Sequence, residues 1–325
     1  MVQATIVIPN YNGIRYLNGC LDSRSACRDE AEFEIVIVDN RSADGSKELI
    51  RRQYPEVTLV ELSENTGFCH AVNVGIRHSE APFVILLNND TVVLKGFVKN
   101  LLTAMEKDER LFAAGAQILM WQDHGRIDDA GDQYCVLGWA YARGKGKKAS
   151  DFDKETEIFS ACGGACIYRR EVLNRIGLLD EKHFAYLEDL DICYRAQIYG
   201  YRCLYVPGAK VLHAGSATSG SKYNSFKTRL SSANSIYVIG KNMPAVQILW
   251  NLPFLLAGFI LKALFYSYKK MGILYLKGLC RGWKLSLSPQ GREKKVKFRW
   301  KHLKNYLRIQ GLLYLNTVRL FRTKF

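Results

Sequence analysis

A chain of 325 residues with 48% hydrophobic content holds enough apolar material for one large α/β domain and an appendage, which excludes a disordered chain. The net charge of +15 would suit a nucleic-acid binder, but from Lys262 onward there are 17 Lys+Arg and a single acid, Glu293, so the rest of the chain is close to neutral. A basic appendage on a neutral body points to an anionic surface and away from an acidic substrate held in the core.

From Thr5 onward, short apolar runs alternate with amphipathic stretches. The runs are TIVIP (5–9), EIVIVD (34–39), VTLVEL (57–62), FVILLN (83–88) and FAAGAQIL (112–119), with helix-like segments near 14–27, 46–54, 68–79 and 94–107. Strands separated by helices imply βαβ units, hence an α/β fold with a doubly wound, mostly parallel sheet covered on both faces. Such sheets bind ligands at the carboxyl ends of their strands, which singles out residues 10–12, 39–44 and 88–90. Residues 122–157, rich in Gly, Asp and Lys, have the composition of loop. GGACIYRREVLNRIG (163–177) has strand-to-helix character and YLEDLDICYRAQIYG (186–200) helical character; YRCLYV (201–206) and KVLHA (210–214) are strand-like. GSATSGS (215–221) is a small-residue loop suited to backbone contact with phosphate.

After Met243-Pro244 comes AVQILWNLPFLLAGFIL (245–261), whose 17 residues include Gln247, Asn251 and Pro253 and fall just short of a spanning helix. Further on, Lys270, Lys277, Arg281 and Lys284 share one helical face, and Lys297, Lys301, Lys304 and Arg308 share another. Leu276, Leu279, Trp283, Leu303, Tyr306 and Leu313 lie opposite, the pattern of interfacial helices on anionic lipid. The expected division is therefore a catalytic domain over 1–242 and a helical, membrane-associating segment over 243–325.

The nine cysteines are odd in number and scattered through apolar runs, as in a reduced, cytosolic protein. Cys162 and Cys166 form a close pair, but no second pair or histidine follows at zinc spacing, so they are expected to be small buried hydrophobes. No basic n-region and apolar h-region precede the first strand pattern, so no secretory signal is expected.

The turn after the first apolar run, Asn10-Tyr11-Asn12-Gly13, contains neither GxGxxG nor GxxxxGK[ST], which excludes a Rossmann dehydrogenase and a P-loop NTPase. The motifs present are IVIPNYN (6–12), VDNRSADGS (38–46), NTGFCHAVNVGI (65–76), LLNNDT (86–91), CGGACIYRREV (162–172), FAYLEDLDICYRAQIYGYR (184–202) and VLHAGSATS (211–219). In this order they resemble the family-2 glycosyltransferases of the GT-A fold, over residues 4 to about 242. The rhamnosyltransferase-like enzymes of bacterial cell-surface polysaccharide synthesis are the most similar in pattern.

A nucleoside diphosphate leaving group carries concentrated negative charge, which a divalent cation on oxygen ligands neutralises. By resemblance, Asp90 and His213 hold this ion, Mg or Mn. Asp90 ends a buried strand, where a carboxylate needs a cation or hydrogen bonds; an Asx turn is the plainer alternative. The family's Asp-x-Asp is here Asn88-Asn89-Asp90, so Asn88 offers a carbonyl or a water-mediated contact where the family has a carboxylate. The resemblance makes Asp39 a reader of the nucleotide base, with turn organisation as the alternative, and gives Pro9 and Tyr11 the shaping of the base and ribose pocket. Gly67, Asn73 and Gly75 fall in the family's nucleotide-proximal helix, unless Gly67 only starts that helix and Asn73 is an interior polar residue. Gly163 and Gly164 allow close backbone approach near the sugar, with ordinary turn geometry as the alternative. Asp189 becomes the general base, and Glu188 orients the acceptor or caps the helix; Asp191 stands four residues before Arg195, the spacing of a helical ion pair.

The expectation is thus an inverting, metal-dependent transfer from a nucleotide-sugar donor to a lipid-linked saccharide acceptor at the cytoplasmic face of a membrane, with an anionic membrane surface and no nucleic acid as partner. A sugar nucleotidyltransferase would need the Gly-rich loop that the first turn lacks. A nucleic-acid-binding protein using the basic tail leaves Asp39, Asp90 and Asp189 unexplained.

Overall fold

A computed structural model of the chain describes residues 2–27, 30–215 and 224–324. The first elements follow the apolar runs: β1 (Ala4–Asn10), α1 (Ile14–Ser23), β2 (Phe33–Asp39), α2 (Ser46–Gln53), β3 (Thr58–Glu61), α3 (Phe68–Arg77) and β4 (Phe83–Leu87). Their four strands are parallel in the order β4-β1-β2-β3. Successive side chains alternate between two cores: Ile6, Ile8, Ile35, Ile37 and Ile85 pack on one face of the sheet, while Val7, Val84 and Leu86 meet Cys69, Val72 and Ile76 of α3 on the other. Burial on both faces explains why β1, β2 and β4 are nearly continuous apolar runs, whereas the edge strand β3 is half-exposed.

The second half of the sheet comprises β5 (Thr91–Val93), α4 (Phe97–Lys107), β6 (Leu111–Met120), β7 (Asp123–Asp129), β8 (Asp132–Tyr134), β9 (Ala140–Ala142), β10 (Thr156–Ile158), β11 (Ala165–Arg169), α5 (Arg170–Ile176), α6 (Glu188–Ile198) and β12 (Arg202–His213). The sheet runs β10-β12-β6-β11-β4-β1-β2-β3, with β5 on β12 and β7 on β6, so a parallel half joins a mixed half through antiparallel β11. The loop expected over 122–157 instead holds β7 to β10. β7 is an edge strand whose backbone pairs with β6 while much of its surface stays in water, so it lacks the apolar run that marks a buried strand. The two expected strands at 201–206 and 210–214 are one element, β12, whose register on β6 slips between Val206 and Lys210, where Pro207 and Gly208 lie. Residues 216–221 of the expected small-residue loop lie outside the described residues.

The C-terminal part is helical: α7 (Ser225–Asn242), α8 (Ala245–Tyr268), α9 (Gly272–Leu287), α10 (Pro289–Glu293) and α11 (Leu303–Lys324). α9 lies tight on α7 because Gly278 and Gly282 present no side chain at the crossing; a Cβ at Gly282 would come within 2.1 Å of the Ala233 carbonyl oxygen. Val238 and Ile239 of α7, Met243 just after it, Leu255 of α8 and Tyr306, Ile309 and Leu313 of α11 share one core with Tyr134, Phe159, Leu190 and Tyr194. The C-terminal helices are thus packed into the body of the protein.

α8 extends seven residues past the apolar run seen in the sequence, through Lys262, whose ammonium lies 5.5 Å from the centre of the Trp139 ring. Its 24 residues make it long and apolar enough to cross a membrane. It is polar inside and apolar outside: buried Gln247 and Asn251 bond Gln310 of α11, whereas Leu249, Leu256 and Leu264 are 68%, 53% and 63% exposed. Arg308, expected on a lipid-facing basic stripe, instead pairs with Glu157 at 2.8 Å and donates to the Tyr201 carbonyl.

The tie between α6 and α7 is ionic and buried. Lys241 Nζ lies 2.7 Å from Asp180 and 2.8 Å from Asp191, and Asp191 also accepts from Arg195 Nε at 3.1 Å and Asn242 Nδ2 at 2.8 Å. Burial alone would raise the Asp191 pKa, and Lys241 and Arg195 hold it well below the carboxylate range instead. The expected Asp191–Arg195 pair is present, but as part of a set sealed from water. Asp191→Asn should therefore cost on the order of 3 kcal/mol, far more than a surface helical pair, because it leaves buried cations undercompensated. Urea denaturation of parent and variant measures the difference.

Candidate functional site

The register of β5 against β12 sets Thr91 opposite His213, and the Ala214 N–H donates to the Asp90 carbonyl at 3.0 Å. This brings the Asp90 carboxylate to the His213 ring, with Oδ1 3.3 Å from Nε2. No turn hydrogen bond to the Asp90 carboxylate is recorded among the described residues, so the Asx-turn alternative finds no support there. The separation is that of two neighbouring ligands of one divalent ion, about 3 Å. A carboxylate oxygen and an imidazole nitrogen form a donor pair that fits a divalent cation, the imidazole suiting Mn better than Mg. Burial disfavours the His213 cation, yet the bonds to Asp128 and Asp90 outweigh it and push the pKa up to about 9. An ion bound there would take the place of that proton.

At the first two strand ends the polar residues chiefly serve one another. Asn10 Nδ2 donates to Asp39 Oδ2 at 2.8 Å, the Ser42 N–H donates to Asp39 Oδ1 at 2.8 Å, and Asn89 Nδ2 donates to Asn10 Oδ1 at 2.7 Å. Asp39 is fully buried, the arrangement of a turn organiser. Tyr11 is exposed and Pro9 half-buried at the mouth of this turn. Asn73 is inside the protein: its amide donates to the Leu179 carbonyl at 2.8 Å and accepts from the Leu179 N–H at 3.0 Å, tying α3 to the turn ahead of α6. Gly67 starts α3 at φ +88°, and a Cβ there would meet the Phe184 ring at 2.6 Å, so only glycine fits. The side chains of Asp39 and Asn73 are thus both engaged with neighbouring protein groups.

The third part is the start of α6. The Asn88 N–H donates to the Gly164 carbonyl at 2.9 Å, and the Gly163 N–H donates to Asp189 Oδ2 at 3.1 Å, so β4 and α6 meet across this glycine pair. Phe184, Tyr186 and Leu187 before the helix all have positive φ, a strained conformation. It is held by Asn234 of α7, whose Nδ2 lies 3.0, 2.9 and 2.8 Å from the carbonyls of His183, Ala185 and Tyr186. Burial raises the Asp189 pKa. Glu188 is more enclosed, with Oε2 unpartnered; burial, and then the Asp189 charge, push its pKa up to about 8. Beside them lie carboxylates that a sequence reading of 122–157 as loop passes over. The ligand atoms of Asp129, Asp132 and Cys162 lie within 4.8 Å of one another, and burial raises Asp129 to about 7. Asp128 reaches the far side of the His213 ring. The run Asp128-Asp129-Ala130-Gly131-Asp132 was the available signal, three acids around a turn glycine. Cys166 is a core residue, as expected.

The family profile described as Glycosyl transferase family 2 matches residues 5–177, more than half of the chain. The chain belongs to glycosyl transferase family 2. The matched stretch takes in the strand-end motifs and the Gly163–Gly164 pair and stops ahead of α6 and β12. Among related sequences, this glycosyltransferase is 27% identical over 215 residues to the N-acetylglucosaminyl-diphospho-decaprenol L-rhamnosyltransferase of Mycobacterium tuberculosis, covering 59% of this chain and 69% of that protein. It is 25% identical over 190 residues to the dTDP-rhamnosyl transferase RfbF of Shigella flexneri, covering 57% and 61%. It is therefore rhamnosyltransferase-like. Solved structures share the fold at low identity: Staphylococcus aureus TarS 1-349 in complex with UDP-GlcNAc has a TM-score of 0.59 at 16% identity, covering 90% of this chain and 84% of that one. GalNAc-T7 with UDP, GalNAc and Mn2+ has a TM-score of 0.58 at 16% identity; 74% of this chain is covered, and about half, 48%, of GalNAc-T7. These neighbours bear out the GT-A expectation.

The environment of Glu188 has a measurable consequence. A carboxyl whose folded pKa lies above its unfolded value of 4.5 stabilises the fold in its neutral form, and that contribution is lost as pH rises toward about 8. Asp191, with a depressed pKa, changes stability only in acid and leaves this window alone. The melting temperature should fall between pH 5 and about 8, and Glu188→Gln should flatten part of that slope in differential scanning calorimetry.

Proposed function

We propose that this glycosyltransferase moves a sugar, with inversion, from a nucleoside-diphosphate donor to a hydroxyl of a lipid-linked saccharide, using a divalent cation. The observation that carries the proposal is the meeting of Asp90, past the end of β4, with His213 at the end of β12, with the Asp189 carboxylate tied through the Gly163–Gly164 pair to the same end of β4. Asp90 and His213 would hold the cation, with Asn88 beside them, and the cation when bound would supply positive charge to the departing diphosphate. Tyr11 and Pro9 would line the base and ribose side, and Gly163 and Gly164 would let the sugar approach the backbone. Asp189 would take the proton from the acceptor hydroxyl; its enclosure raises its basicity, and the Gly163 and Leu190 N–H groups fix its direction. Glu188, neutral at pH 7, would act as a hydrogen-bond donor that orients the acceptor. Asp39 would act on the nucleotide through Asn10 and the 40–44 turn.

The two rhamnosyltransferase relatives support a deoxysugar donor, and the decaprenol-linked acceptor in the name of one supports a lipid-linked acceptor here. The test is a transfer assay with nucleotide sugars and Mn2+, run with Asp189→Asn. Loss of base assistance should lower kcat by about 10²- to 10⁴-fold, while thermal stabilisation by nucleoside diphosphate with Mn2+ stays at the parent level. Parent-like turnover in Asp189→Asn would remove the base from this residue.

Residues 1–242 would form the catalytic domain and 243–325 the membrane-associating segment, lying against the cytoplasmic face. A helix of 24 residues is about 36 Å long, against roughly 30 Å of bilayer hydrocarbon, and its exposed side is apolar. The basic residues that follow suit anionic headgroups. Since Leu255 and α11 are built into the core of the body, removing everything after Met243 would expose that core, so substitution is the cleaner test. Replacing Leu249, Leu256 and Leu264 together by Asp should abolish co-sedimentation with vesicles containing phosphatidylglycerol and leave the melting temperature unchanged.

A further inference from the structure

Asp128 lies outside every motif that carries the family resemblance, yet it is the residue bound to the far nitrogen of His213. On β7, Ile127 pairs with Leu119 and Asp129 with Ile118, so Asp128 is the extra residue of a β-bulge. A bulge re-aims one side chain and recurs beside active sites. Here it delivers Asp128 Oδ2 to within 2.8 Å of His213 Nδ1. The other carboxylate oxygen pairs with Lys145, held in a turn between Gly144 and Gly146, which both have positive φ. Both oxygens of Asp128 are therefore fixed, one by the ring and one by the ammonium.

We propose that Asp128 is a positioning residue: it takes the Nδ1 proton of His213 as a hydrogen bond, and so turns the Nε2 lone pair toward the ion shared with Asp90. This rests on the metal-site reading above. A neutral imidazole has one donor and one acceptor nitrogen, and the partner of the donor decides which is which. The His213 backbone is already set by β5, β6 and the Trp121 N–H at 3.0 Å, so only the side-chain torsions remain free. Asp128 removes that freedom and, as an anion on Nδ1, makes Nε2 a stronger donor. With Asn88 in place of the family's first carboxylate, the site has one anionic ligand fewer, and the donor strength of His213 counts for more.

Mn2+ alone, titrated into the full chain and followed by the electron paramagnetic resonance of the free ion, tests this with parent, Asp128→Asn, His213→Ala and the double variant. Asp128→Asn should weaken Mn2+ binding by about 10- to 100-fold, and should add nothing once His213 is alanine. A purely structural role would weaken binding equally in both backgrounds, and that result would overturn the proposal. So would parent-like affinity in Asp128→Asn alongside a loss in His213→Ala. If His213→Ala binds like the parent, the assignment of His213 falls and the proposal with it; if the parent binds no Mn2+, the metal site itself falls.

Discussion

A lysine sealed from water between two aspartates governs the arrangement of this molecule. Lys241 cannot leave Asp180 and Asp191 without stranding charge in the interior, so this buried ion set fixes the register of α6 on α7 alongside the apolar core the two helices share. That fixed pair supports what lies on either side. Toward the cleft, Asn234 on the same helix holds the positive-φ segment that aims Glu188 and Asp189. Away from it, the glycine seam of α9 and the cover of α8 and α11 are built on α7.

Three acids within four residues of α6 show how environment divides labour on one helix. Asp191 points toward cations, which hold its pKa low; Glu188 is enclosed with one oxygen unpartnered, and burial pushes its pKa up; Asp189 lies between, anchored by the Gly163 and Leu190 N–H groups. The same residue chemistry gives an internal strut at Asp191 and two carboxyls of raised pKa at Glu188 and Asp189 because the neighbours differ.

The parallel half of the fold was legible because strands buried on both faces must be apolar throughout, and helices between them must be amphipathic. β7 to β10 were not, because edge strands and a small hairpin need little apolar sequence. This hid Asp128, Asp129 and Asp132, although they stand close together in the chain. The pairing of Asp90 with His213 could be named only from the resemblance, since 122 residues separate them and a three-residue strand, β5, brings them together. Asp39 and Asn73 carry the right residue types at the right motif positions, but hydrogen-bond accounting places them in support of the turns around the cleft. No pattern in the sequence distinguishes a polar residue that faces a ligand from one that satisfies a backbone. The length of α8 was underestimated because Lys262 breaks the apolar run without breaking the helix: its long aliphatic stem follows the helix surface and its head rests on an aromatic ring.

The inward-facing amides of α8 have a consequence for geometry at the membrane. Gln247 and Asn251 lock α8 to α11, and α11 packs on the strand that follows the acidic turn, so the helix with the exposed apolar side belongs to the same packed body as that turn. An enzyme that used this apolar side to hold a bilayer, as proposed, would carry its site at a set altitude above it. The reach of the acceptor would then become a criterion of selection: a glycolipid whose reactive hydroxyl projects to that altitude would meet the proposed base directly, and a shorter or longer headgroup would have to bend the bilayer or itself to do so. Acceptor choice would be graded partly by a ruler, with the polar seam between two helices fixing its scale.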